Sequence, residues 1–357
     1  MKYTNNWSKS KERLRAFWNR EILDRCCIWV TAPKDNASYK YYELPEKPED
    51  KIKYWTDGEM VLERYKNIFE NTYYAGDAFP ILINDLGAAG HAGYFKNARF
   101  RFENTVWFFP IIHDWDEDEL IFDENSFLYR KTIDLTRYYV SEAKGNFIVS
   151  MPDNCGNADA LAHLRGSENL LMDMLLEPER VKAALEKIQA AWLRTNEEVY
   201  RIVCDNNDGG CSVGWLGTWA PGRHGQLQCD MSVMLSPEMF DQYIMDELKT
   251  QSSWMDYCLY HLDGVEQTSH LDKLLSVAGI HAIQWTNVAG QPRATEYLDV
   301  LRKIQAAGKG LIIHVEPHEV KVMLENLSSR GLYLLTWAET QRDADDLVRM
   351  VEKMTHE

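Results

Sequence analysis

From about residue 78 onward the chain alternates short apolar runs with longer segments whose apolar positions recur at helical spacing. The runs are AFPILIND (78–85), NFIVSMPD (146–153), GCSVGWLG (210–217), QLQCDMSVM (226–234), CLYHLDG (258–264), IHAIQWTNV (280–288), GLIIHVEP (310–317) and LYLLTWAE (332–339). Unbroken apolar runs of this length predict strands covered on both faces, as in a parallel sheet flanked by helices. The helix signals between them are explicit. In SPEMFDQYIMDEL, Ser236 stands as N-cap and Pro237 at the first helical position. TEYLDVLRKIQAAGKG ends on Gly308 and Gly310, with Lys303 and Lys309 where the helix dipole favours a cation. TQRDADDLVRMVEKM spaces Ala344, Leu347, Val348, Val351 and Met354 three to four residues apart.

Eight runs joined mostly by helices predict an α/β fold, a (β/α)8 TIM barrel forming a single domain over 1–357. Residues 1–77 read as a helical N-terminal extension, 78–357 as the barrel, and 94–123 as an insertion after the first strand. A doubly wound open sheet would want a glycine-rich phosphate turn after its first strand, and INDLGAAGHAG (83–93) lacks that spacing.

In a barrel the active site gathers at the C-terminal ends of the strands. Reading those ends in turn gives Asp85; Asp153 and Asn157; Trp215 and Trp219; Asp230; His261 and Asp263; Gln284 and Trp285; His314 and Glu316; Trp337 and Glu339. His261, Asp263, Glu316, Glu339 and Asp85 are the candidate catalytic groups. Trp215, Trp219, Asp230, Gln284, Trp285, His314, Trp337 and Asp153 are the candidate substrate contacts. Each also has a plainer reading: a carboxylate just past a strand often caps the next helix, and a Trp there often packs beneath a loop. Taken together they predict an acidic, indole-lined pocket with a histidine. Such a pocket suits a carbohydrate, stacked on Trp and hydrogen-bonded by carboxylates, or a methylated or protonated amine held by cation–π contacts.

Composition narrows the partners. The formal charge of −16 and the scatter of Lys and Arg exclude nucleic acid and anionic membrane surfaces. No run approaches bilayer length, and the polar start MKYTNNWSKSKERLRAFWNRE reads as a helix and not a signal peptide. Seven Cys without C-x-x-C spacing fit reduced thiols in a cytoplasm.

Several segments resemble the uroporphyrinogen decarboxylase superfamily, which includes corrinoid-dependent methyltransferases. FPILINDLG (79–87) resembles the strand carrying its first essential aspartate, here Asp85. ALAHLRGSENLLMDMLLEPERV (160–181) and CDMSVMLSPEMFDQYIMDEL (229–248) resemble its turn–helix and acidic-strand segments, and LYHLDG (259–264) takes the place of the H-x-C-G strand of zinc-dependent thiol methyltransferases. The resemblance spans about 75–355 and implies the methionine synthase type of barrel, a small-molecule methyl donor, and a homodimer.

The differences direct the chemistry. The decarboxylases carry an N-terminal arginine motif that grips a polycarboxylate; here DRCCIWVTAPKDN (24–36) offers only Arg25, ahead of the strand. An acidic pocket without those arginines repels such a substrate, which sets decarboxylation aside. Asp263 stands where the thiol methyltransferases have a zinc-binding Cys, and Thr336-Trp337 where they have another. Thiolates are the donors that activate a thiol on zinc, so thiol methylation is set aside as well. Any zinc would fall to a harder set, His261, Asp263 and Glu339; otherwise no metal and no tightly bound cofactor is expected. The leading reading is a methyl donor:corrinoid protein methyltransferase acting on a small amine or ether. The corrinoid would sit on a separate protein, because the chain carries no Asp-x-His-x-x-Gly signature. The alternative is a glycosidase using two carboxylates among Asp263, Glu316 and Glu339. A non-catalytic binding barrel would leave the strand-end carboxylates and histidine unexplained.

Overall fold

The computed structural model describes all residues, 1–357. Its strands are β1 (Cys27–Pro33), β2 (Thr72–Gly76), β3 (Ile81–Leu82), β4 (Arg99–Phe102), β5 (Val106–Phe109), β6 (Ile148–Val149), β7 (Gly210–Val213), β8 (Thr218–Pro221), β9 (His224–Leu227), β10 (Tyr257–Asp263), β11 (Ala282–Thr286), β12 (Gly310–His314) and β13 (Leu332–Trp337). Seven of them form one sheet in the order β2-β1-β13-β12-β11-β10-β9. Its neighbours run parallel except β2, which is antiparallel to β1. β3 pairs with β6 in parallel, and β4–β5 and β7–β8 are antiparallel pairs. With 13 helices around it, the sheet gives a mixed α/β architecture built on a parallel core.

The period of two along a strand sorts the side chains. On one face Cys27, Leu259, Ala282, Ile312, Tyr333 and Leu335 pack with Phe17 and Trp18 of the N-terminal helix Trp7–Trp18. On the other, Ile28, Tyr260, Ile283, Ile313 and Leu334 pack with the flanking helices, among them Leu347 and Val351 of Gln341–Met354. The N-terminal helix covers the first face at the strands' N-terminal ends: the Phe17 ring lies 5.7 Å from Tyr333, and Trp18 lies 5.6 Å from Tyr257. The same face continues toward the C-terminal ends as His261, Asp263, Gln284 and His314, so alternation alone carries these polar groups into one region.

The expectation for 1–77 is corrected. The segment holds three helices, but also β1 and β2, and β1 lies inside the main sheet between β13 and β2. CIWVTAP is as apolar as the later runs, and its start is pinned by a buried ion pair. Arg25 Nη1 lies 2.6 Å from Asp77 Oδ2, which also accepts from Ile28 N at 3.0 Å. Arg25 is therefore a structural group ahead of β1. The run at 226–234 is strand only to Leu227; Asp230–Met234 is a 3-10 turn. The insertion contains the hairpin β4–β5.

Candidate functional site

The most ordered constellation is Asp230, His261 and Asp263, one ligand atom of each lying within 4.8 Å of the others. The chain folds this way for local reasons. His261 and Asp263 share a face because they are two apart on β10. The strand then turns at Gly264, whose φ of +89° and whose missing Cβ, which would meet Val288 at 2.7 Å, leave little room for another residue. Asp230 arrives from the turn after β9, where Asp159 accepts from Asp230 N and Met231 N, both at 2.9 Å. Gln228 Nε2 donates to Asp230 Oδ2 at 2.8 Å, fixing the side chain.

Register sets His261 opposite Gln284 on β11, and their side chains meet through His261 Nδ1 and Gln284 Oε1. The amide orientation follows from its other contacts. Gln284 Nε2 reaches the Trp285 carbonyl at 3.0 Å and Thr286 Oγ1 at 2.7 Å. A carbonyl only accepts, so that end of the amide is the NH2, and the end facing His261 is the oxygen. Nδ1 of His261 then carries a hydrogen, and in the neutral imidazole Nε2 presents a lone pair. Nε2 lies 3.9 Å from Asp263 Oδ1. Two acceptors and a carboxylate from Asp230 thus converge with no hydrogen among them, an arrangement completed by a proton or a cation.

The set fits a divalent cation. One imidazole with its far nitrogen held by an outer acceptor, plus two carboxylates, leaves a position open for substrate. Oxygen and imidazole donors suit zinc or harder divalent ions over thiol-seeking ones. Glu339, expected in such a set, is replaced by Asp230. Although Asp230 is exposed, the walls around its carboxyl displace water and raise it above its ordinary range, with the charge of Asp263 adding to this and Gln228 and His261 opposing it.

Beside the cluster lies a cavity of about 440 Å³, bordered by Trp29, Thr31, Trp215, Arg293, His314 and Trp337. Trp215 joins the two, its ring edge-on to His261 at 4.8 Å. His314 opens onto this cavity, yet the surrounding walls displace much of its water. That desolvation, with the nearby His261 second, brings His314 down to about 4, so it is a neutral imidazole at neutral pH.

Other expected residues fall elsewhere. Trp219 is wholly buried, its Nε1 donating to Asn207 O at 2.9 Å and its ring 5.4 Å from Trp7; it is core. Trp285 is also core, because it shares the helix-covered face with Ile283 and stacks near Tyr297 at 5.1 Å. Gln284 is wholly buried and holds His261 instead of meeting substrate. Glu316 borders the cavity, but its side chain caps the Pro317–Glu319 turn in a reciprocal box with Glu319. Glu339 borders a separate hollow with Pro317 and Leu347. Asp263, Glu316 and Glu339 are thus not gathered in one cavity, and nothing in the structure supports the glycosidase pair expected among them. Asp85 is exposed and accepts from Gly87 N at 3.0 Å. Burial, then the charge of Asp85, push Asp153 up to about 7. Asp153 connects to Asp230 only through Gln226 and Gln228. Trp29, Thr31, Asn287 and Arg293 border the cavity without having been expected. The alternation of CIWVT carries a signal for the first two; the loop residues carry none.

No protein-family model and no curated protein matches the chain. Among solved structures, it shares its fold with a methyltransferase from Methanosarcina mazei at a TM-score of 0.58 and 11 % identity, over 96 % of this chain and 98 % of that one. No helix is long and apolar enough to cross a membrane.

Proposed function

We propose that the chain is a methyltransferase that takes a methyl group from a small amine or ether, with Asp230, His261 and Asp263 as its reaction centre and a corrinoid on a separate protein as acceptor. The observation that carries this reading is the convergence of His261 Nε2 with the Asp230 and Asp263 carboxylates beside an indole-walled cavity. The shared fold with a methyltransferase supports it, and so does the family resemblance of the strand segments. On this reading the fold is a divergent (β/α)8 barrel of that superfamily.

The chemistry follows from the balance of charge. As methyl leaves, the bond to nitrogen or oxygen breaks and the electron pair stays on the departing heteroatom. For an ether that pair must be stabilised, by a proton first taken up at the His261 Nε2 lone pair and passed to the oxygen or by a cation between the three side chains. An ammonium donor, by contrast, departs as the neutral amine. A divalent ion bound there would supply Lewis acidity toward the leaving atom. Trp215, Trp29 and Trp337 receive the methylated end, where cation–π attraction favours an ammonium. Neutral His314 adds no repulsion to a cationic donor.

The test is spectroscopic. Cob(I)alamin is mixed with the protein and a panel of methylamines and methoxyaryl compounds, and its absorbance is followed. Methylcobalamin should form with wild type and fail to form with His261→Ala. No turnover of any amine or ether, with or without added divalent ions, would contradict the reading.

A further inference from the structure

A file of hydrogen bonds leads away from the Asp230 carboxylate and ends on a second carboxylate. Gln228 Nε2 donates to Asp230 Oδ2 at 2.8 Å, and Gln226 Nε2 donates to Gln228 Oε1 at 3.2 Å. The same Gln226 nitrogen donates to Asp153 Oδ1 at 3.1 Å. The file thus crosses from the turn after β9 to the segment after β6. Gln226 and Gln228 are both buried, so bulk water does not compete for these bonds. The far end is anchored. Asp153 O accepts from Gly90 N at 3.0 Å, and the next residue, Asn154, accepts from Tyr94 Oη at 3.0 Å through its side chain and from Trp192 Nε1 through its carbonyl.

Counting donors gives the file its direction. An ionised carboxylate only accepts, so Asp230 draws the NH2 end of Gln228 and leaves the Gln228 oxygen facing Gln226. That oxygen and Asp153 Oδ1 together take both hydrogens of the Gln226 NH2. The Gln226 oxygen is meanwhile buried without a partner, a cost that the two acceptors at the other end of the amide offset. Without Asp153 one of those acceptors is gone. Gln226 is then free to turn over, which sets its oxygen against that of Gln228 and loosens the one amide that grips Asp230.

We propose that Asp153 is a positioning residue for the cation-binding set: by fixing Gln226, and through it Gln228, it holds the Asp230 carboxylate in place beside His261 and Asp263. The inference rests on reading those three side chains as the reaction centre and a cation site, but it does not require methyl transfer. Asp153 itself touches neither the cation nor the substrate.

The test is isothermal titration of the full-length protein with manganese chloride and, separately, zinc chloride. It is run at pH 8, above the value of about 7 to which burial, then the charge of Asp85, push Asp153. Wild type should bind one ion saturably. Gln228→Leu should weaken binding about 10–100-fold, and Asp153→Leu about tenfold, the low end for an outer partner. Asp153→Asn should recover most of that loss, because its side-chain oxygen still accepts from Gln226. The double variant Asp153→Leu/Gln228→Leu should bind no more weakly than Gln228→Leu, since the file is already cut; two independent structural defects would instead add. Absence of cation binding by wild type, unchanged affinity in Asp153→Leu, additive losses, or an Asp153→Asn as weak as Asp153→Leu would each overturn the positioning role. The predicted pattern in a protein that transfers no methyl group would support the positioning role and contradict the proposed reaction.

Discussion

Gln284 decides which nitrogen of His261 is free. Its NH2 is committed to the Trp285 carbonyl and Thr286 Oγ1, so its oxygen faces Nδ1, and the Nε2 lone pair turns toward Asp263 and Asp230. Outer partners of this kind typically change metal affinity about 10–100-fold when removed. Gln284→Leu should therefore weaken zinc or manganese binding by about that factor, read by titration calorimetry, with the melting temperature followed in parallel. Unchanged affinity in a folded variant would show that the hydrogen bond does not orient the site.

The two tryptophans bracketing the turn after β7 should part company. Trp219 is fully buried against Trp7, and Trp219→Ala should cost about 3–5 kcal/mol of stability, read by denaturant unfolding. Trp215 is 37 % exposed and borders the cavity. Trp215→Ala should change stability by no more than about 0.5–1 kcal/mol while weakening binding of a methylated ammonium. Equal losses of stability would remove Trp215 from the binding wall.

Glu247 sets a pH dependence of stability. An unfolded chain releases this proton near 4.5, whereas the folded chain holds it to about 8. Between those values the native state binds more protons, so the unfolding free energy falls as pH rises. Glu247→Gln removes the contribution. Its melting temperature relative to wild type should rise steadily from pH 5 to pH 8 and level off above that. A difference independent of pH would mean that the carboxyl is not held protonated by burial.

Much of this site was legible because strands impose a period of two and the runs were apolar enough to mark strand ends. His261, Asp263 and His314 fall on one face by that rule, and Trp215 lies at a visible strand end. The same rule, applied more strictly, would have placed Trp285 with Ile283 on the helix-covered face. β1 is hidden in the sequence among charged helical segments, although CIWVTAP is an apolar run like that of β10. Glu316 took the plainer of its two roles, capping the turn that follows β12. Asp230 entered the cluster in place of Glu339 because a 3-10 turn held by Asp159 carries it there, a long-range contact that no local spacing encodes.

The most direct measurement compares methyl transfer to cob(I)alamin by wild type, Asp263→Asn and Glu339→Gln, using whichever methylated amine or ether the wild type turns over. Asp263→Asn should lose about 10²–10⁴-fold, the range of a displaced acid–base group, and Glu339→Gln should keep wild-type rates. Full activity in Asp263→Asn, or loss in Glu339→Gln alone, would contradict the assignment of the reaction centre to Asp230, His261 and Asp263.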